Sequence, residues 1–413
     1  MKYYLLLTLL ILPFSCSTFK DMGQNQTSEG HFRLYTYPEK VWRYLELINK
    51  KEKEELKVLD NEKPRYEDII LVAINDFNGK IAPTKINYLD RAQNTNHEIT
   101  LGGIAGYKAY FEILRNKFKE NVHIISSGSL VDSDSDLREV IFYMNYLGID
   151  VAGIGIGDFS INYKYNYMSY LDEYFKQANF TPLLSNAFNL RKNEQLELEH
   201  IFESTIIKAG RVQIGYINLI APSAVERIPS EKTNGIYFEK LPVKMIKLSN
   251  KLRKKGADIV VAMISEGIDC TSQQAQALGI NEYKVNFLEV DTKVCNKFEN
   301  QTIESLKQLP PDYIDAIVTN GKNSKVANYF QGYPVIQNFA NGTDFSWLKL
   351  TYDHKLKRLD KKRTQILQPV STCHNFFKET EDCYTQEVLR NVELTKAKFL
   401  NHKIKIQPIP THK

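Results

Sequence analysis

Asp76 is the residue best placed to do chemistry. It stands in the stretch from Ile69 to Pro83, IILVAINDFNGKIAP, where a short apolar run stops at Asn75-Asp76 and passes through Phe77 and Asn78 to Gly79. A carboxylate there can coordinate a divalent cation or accept backbone amides in a turn. One carboxylate is not a metal site, because such a cation takes several protein ligands. Other groups do not complete the set. Asp132, Asp134 and Asp136 are spaced like the start of a calcium loop, but the glycine and distal glutamate of that loop are missing from their places. Asp136-Leu-Arg-Glu139 reads instead as the capping start of a helix. Ser129 has no histidine or lysine beside it in a nucleophile–base arrangement. Tyr163, Tyr165, Tyr167 and Tyr170 fall at helical spacing and read as a packing face rather than a stacking platform. The eight histidines, His31, His97, His123, His200, His354, His374, His402 and His412, are scattered along the chain.

The element that must hold Asp76 is the run 69–74, which suits a buried parallel strand opening into a loop at its C-terminal end. In open α/β sheets ligands sit at that end. Further strands are expected at 122–126, 149–154, 182–184, 212–220, 258–264 and 314–319. Helices are expected at 103–117, 136–147, 163–177, 242–255, 271–278 and 302–308. This alternation predicts an α/β domain of largely parallel strands, with 333–338 and 345–352 as an antiparallel edge. Hydrophobic content of 43% and charged content of 25% over 413 residues describe a globular chain, neither disordered nor membrane-spanning.

Lys2 precedes an apolar run from Tyr3 to Phe14, then Ser15-Cys16 and a polar stretch. That is a secretory signal, too short for a spanning helix. A small residue before Cys16 resembles a bacterial lipoprotein signal, with Pro13 departing from the usual pattern; it implies lipidation of Cys16 and a membrane-anchored protein of the cell envelope. The expected organisation is a signal over 1–16, a tether and leading helix over 17–64, the α/β domain over 65–354, and a basic helical C-terminal extension over 355–413. That extension carries 13 Lys/Arg against 6 Asp/Glu, which reads as a solvated surface without specific nucleic-acid binding. Four cysteines remain, Cys270, Cys295, Cys373 and Cys383; an exported chain permits disulfides, with the sequence-local pairs 270–295 and 373–383 expected. None has zinc-site spacing.

Over about residues 66–353 the chain resembles the 5′-nucleotidase type of metallophosphoesterase, with the landmarks in order. NDFNG lies over a motif like NDFHG, keeping Asp76 and showing Asn78 in place of the histidine. LGGIAGYKAYFEILR is similar to GGLARLATLIKQLR. In VHIISSGSLVDSD, against LLLDAGDVFQGT, the metal-bridging aspartate has become Ser129. LGIDVAGIGIGDFSIN lies over LGYDAMALGNHEFDYG, with Ile156 for the ligand asparagine and Gly157 for the catalytic histidine. ADIVVAMISEGID matches VDVIILLSHLGID, with Glu266 for a ligand histidine. In DAIVTNGKNSKVANYFQGYPVIQNF the His-x-His pair becomes Gly321-x-Asn323 or Lys322-x-Ser324.

The resemblance implies layered β-sheets flanked by helices, and a site where two cations clamp a phosphate and generate hydroxide. It also implies that this chain has lost the site: Asp76 and Glu266 are vestigial, Asn78, Ser129, Ile156, Gly157, Lys322 and Asn323 are degenerate positions, and no histidine stands in a motif. The family's nucleoside-gripping C-terminal domain is not expected either. The leading expectation is a catalytically inactive, surface-tethered module that binds or supports a protein or small molecule in the vestigial cleft, with no cofactor. The rival is a divergent phosphohydrolase using Asp76, Glu266 and a single divalent metal, or no metal.

Overall fold

The computed structural model describes residues 64–90, 95–163, 166–268, 301–321 and 325–372. The expected signal, tether, leading helix, helix 271–278 and C-terminal helix, together with Cys16, Cys270, Cys295, Cys373 and Cys383, lie outside the described residues.

The described chain begins with β1 (Tyr66–Ile74), followed by a hairpin of β2 (Thr84–Asp90) and β3 (Thr95–Leu101) and by helix α1 (Ile104–Phe118). Next come β4 (Val122–Ser126), α2 (Leu137–Leu147), β5 (Val151–Gly153), α3 (Tyr167–Phe175) and β6 (Thr181–Leu183). Three short strands, β7 (Ala187–Asn189), β8 (Glu194–Gln195) and later β11 (Ile236–Phe238), make a small sheet. The second half runs β9 (Thr205–Ala209), β10 (Val212–Ile220), the turn α4 (Pro222–Val225), α5 (Leu241–Lys254), β12 (Ile259–Ser265), α6 (Gln301–Gln308), β13 (Ala316–Thr319), β14 (Val326–Phe330) and β15 (Tyr333–Gln337). The chain then returns through β16 (Asp344–Asp353), β17 (Arg358–Leu359) and β18 (Gln365–Ser371).

Two sheets dominate. The first is ordered β17-β16-β1-β4-β5-β6 with β18 also on β16; the second is ordered β14-β15-β13-β12-β10-β9. In the first, β1, β4, β5 and β6 run parallel and β16 lies antiparallel to β1. In the second, β10, β12, β13 and β15 run parallel, and antiparallel β9 and β14 close the edges. The strands are apolar on both faces because both faces are covered. Ile69, Leu71 and Ala73 join Ile125 and Val151 against Ile214, Tyr216, Val261 and Met263 between the sheets. The alternate residues Ile70, Val72 and Ile74 share the outer core with Tyr107, Phe111 and Leu114 of α1. Burying each such aliphatic side chain is worth about 1.5–3 kcal/mol. Asp136 caps α2 as its sequence indicates, accepting the Arg138 N–H at 2.9 Å.

Two expectations are corrected. Strand β16 is no edge: it fills the place beside β1, register Leu71 opposite Leu348, and β15 pairs parallel with β13. The sheet also does not end at residue 354, because β17 and β18 pair with β16. A basic run hid these strands, which fold back onto the neighbouring β16, Asp353 opposite Arg358 and Lys349 opposite Gln365.

Candidate functional site

The parallel strands of both sheets end at one place, and the loops that follow carry the residues singled out by sequence. After β1 the backbone makes a left-handed turn through Asp76 (φ 45°) and Asn78 (φ 52°), and after β4 it does so again at Ser129 (φ 54°). Left-handed backbone is costly for residues with a Cβ, and persists only where its surroundings fix it. Here the two loops pair with each other: Asp76 N donates to Gly128 O at 3.2 Å, Asn78 N to Ser129 O at 3.0 Å and Gly79 N to Leu130 O at 2.8 Å. Asn341 N closes the turn on Asp76 O at 2.8 Å.

The polar side chains at these strand ends bond mainly to one another. Asn320, just after β13, donates from Nδ2 to Asp76 Oδ1 at 3.4 Å and Ser129 Oγ at 3.5 Å, while its Oδ1 accepts the Ser127 hydroxyl. Asn75 and Asn338 form a reciprocal clamp: Asn338 N donates to Asn75 Oδ1 at 3.1 Å, and Asn75 Nδ2 to Asn338 O at 3.1 Å. Asn78 Nδ2 reaches Asn341 Oδ1 at 3.0 Å. Ser265, at the end of β12, accepts Ile156 N at 3.1 Å, and Ser129 Oγ accepts Gly157 N at 3.1 Å. Asn75, Asp76, Asn78, Ser127, Ser129 and Asn320 are all at most 8% exposed.

Sequence reasoning missed Asp158, which is fully buried next to Gly157. Its carboxylate accepts Gly155 N at 2.8 Å, Ser129 N at 3.0 Å and Val131 N at 3.2 Å, locking the loops after β4 and β5 together. Burial pushes its carboxyl up to about 7, against the opposing pull of those backbone donors. The available signal was a single acid within the otherwise apolar and glycine-rich run GIGIGDF. Asn75, Ser127, Asn320 and Asn338 were missed too; isolated amides and hydroxyls carry no motif.

Glu266 does not join Asp76. It accepts the Ser223 hydroxyl at 2.5 Å, Thr302 N at 2.8 Å and Thr302 Oγ1 at 3.1 Å, placing its charge at the start of α6. Each of these two carboxylates is thus held by its own partners. Lys322 and Asn323 lie outside the described residues. His123 bonds Tyr216 Oη at 2.7 Å between the sheets, and His354 bonds Glu67 at 2.7 Å, so neither serves the strand ends.

No protein-family model matches the chain. By sequence it is similar to a 2′,3′-cyclic-nucleotide 2′-phosphodiesterase/3′-nucleotidase of Haemophilus influenzae, 21% identical over 316 residues, covering 73% of this chain and 46% of that relative. The chain thus spans about half the length of that curated relative. A crystal structure of a putative 5′-nucleotidase from Staphylococcus aureus superposes with a TM-score of 0.54 at 16% identity, over 81% of this chain and 58% of the other. The calcineurin-like phosphoesterase YfkN from Bacillus subtilis gives a TM-score of 0.53 at 15% identity, over 82% of this chain and 99% of the other. The fold is that of the 5′-nucleotidase-type metallophosphoesterases.

Phosphoesterases of this type work with divalent metal. Among the described residues no three His, Cys, Asp or Glu side chains come together as a metal could require. At one degenerate position, Gly157, the space itself has gone. A Cβ on Gly157 would lie 2.8 Å from Val131 O and 2.9 Å from Ser129 Cβ, so the frame has no room for a side chain there without moving. Among the described residues the donors at these strand ends are Asp76 and Asp158, the latter already accepting three backbone N–H groups, with amides and hydroxyls bonded to each other, and they do not fit a pair of cations.

Proposed function

We propose that this chain is a phosphoesterase scaffold that does not cleave phosphoesters at its strand ends and acts as a binding or structural module of the cell envelope. The observation that carries the reading is the closure around Gly157: the position of the family's catalytic histidine has no side chain and no room for one. Supporting it, Ser129 and Asn320 bond Asp76 and its neighbours into a buried network, and Glu266 caps a helix instead of facing them. Tethering through a lipid on Cys16 follows from the N-terminal signal and belongs to the same proposal. No helix among the described residues is long and apolar enough to cross a membrane.

The alternative is a divergent phosphohydrolase acting on nucleotides or other phosphoesters, and the activity named for the Haemophilus influenzae relative favours it. The deciding measurement is metal content of the purified protein together with turnover of 2′,3′-cyclic nucleotides, 3′- and 5′-nucleotides and a model phosphoester. We expect neither bound metal nor turnover above background. Stoichiometric metal with turnover abolished by Asp76→Ala would overturn the reading. Fatty-acid labelling lost on Cys16→Ala checks the anchor.

A further inference from the structure

We infer that the strand ends form an internal fastener, in which Asn320 cross-links the two sheets where a catalytic centre of this fold would stand. The inference rests on the reading above, that no cation pair bridges these loops, and adds what holds them instead. Asn320 ends a strand of the second sheet. Ser127, Ser129 and Asp76 all follow strands of the first. One amide uses both of its ends across that gap, donating to Asp76 at 3.4 Å and Ser129 at 3.5 Å and accepting from Ser127.

Three other bridges cross the same boundary. The Asn75–Asn338 clamp joins the end of β1 to the end of β15, and Ser265 holds Ile156 from the end of β12. Deeper in, Asn218 of β10 donates to Ile154 O at 2.9 Å and Leu183 O at 3.1 Å. Apart from Asp76, every group in these bridges is an uncharged amide, hydroxyl or backbone group, so they bury little charge. The bridges also explain how left-handed Asp76, Asn78 and Ser129 are held, since each lies on a loop tied at both ends.

Groups in one buried network lose their energies together rather than separately. The test is a double-mutant cycle in urea: Ser127→Ala, Asn320→Ala and the double variant of the full chain. Each single variant is expected to lower the unfolding midpoint, and the double to fall no further than Asn320→Ala alone. Should Asn320→Ala not fold, Asn320→Ser replaces it in the cycle. Losses that add, or an unchanged midpoint in the Asn320 variant, overturn the fastener and leave the metal-free reading standing. Dialysis of the wild type against a chelator is the separate arm: an unchanged midpoint is expected, and a fall there would overturn the metal-free reading.

Discussion

Restoring the lost carboxylate at position 129 should now harm the protein, and Ser129→Asp measures by how much. The backbone at Ser129 is left-handed, φ 54°, a conformation aspartate tolerates better than most residues, so added strain is small. Charge decides the outcome. Asp76 Oδ1 and Ser129 Oγ lie 3.4 and 3.5 Å from the same Asn320 nitrogen, so a carboxylate at 129 would stand within about 7 Å of the one at 76. At an effective dielectric near 20, two such charges repel by about 2–3 kcal/mol. The repulsion makes ionising the second carboxylate harder in the folded protein than in the unfolded chain. The penalty is therefore absent below about pH 4 and complete roughly two pH units higher. Urea unfolding of variant and wild type at about pH 4 and about pH 7.5 gives the difference directly. An equal loss at both pH values would refute the electrostatic argument. Recovery of the midpoint with added manganese or zinc would refute the larger claim that the loops no longer accept a cation.

Asp158 supplies a pH prediction of its own. Its carboxyl is raised to about 7 by burial, so the native state holds the proton longer than the unfolded chain does. Its contribution is then complete below its unfolded value near 4 and declines as pH rises through about 7, at no more than about 1.4 kcal/mol per pH unit. Asp158→Asn should flatten that part of the stability–pH curve, and at about pH 5 it should cost about 1–3 kcal/mol by turning an amide toward a buried N–H donor. A curve with unchanged slope would contradict this. Gly157→Ala must push against Val131 O and Ser129; a loss of about 1–3 kcal/mol in thermal unfolding is expected, and a neutral substitution would show that the loop has room. Glu266→Ala removes the acceptor for Thr302 N and the Ser223 hydroxyl. It should cost about 1 kcal/mol of stability without altering metal content, and a change in bound metal would return Glu266 to the ligand set.

The repeating frame was legible in the apolar pattern of the chain. Apolar runs at 69–74, 122–126 and 212–220 become β1, β4 and β10 within a few residues, because a strand buried on both faces must be apolar throughout. Also legible was the absence of histidine from the motif positions, since identity needs no coordinates. Where β16 inserts, that β17 and β18 carry the sheet past residue 354, and that Glu266 caps α6 emerged with the folded chain. The places of β16 and Glu266 depend on partners far away in the chain, beside β1 and at Thr302, while β17 and β18 pair with the neighbouring β16 from a basic stretch that reads as surface. The strand-end network was the least legible part. Asn75, Ser127, Asn320 and Asn338 are ordinary loop residues until two sheets bring them together, and a buried amide is explained by its partners rather than by its neighbours in sequence.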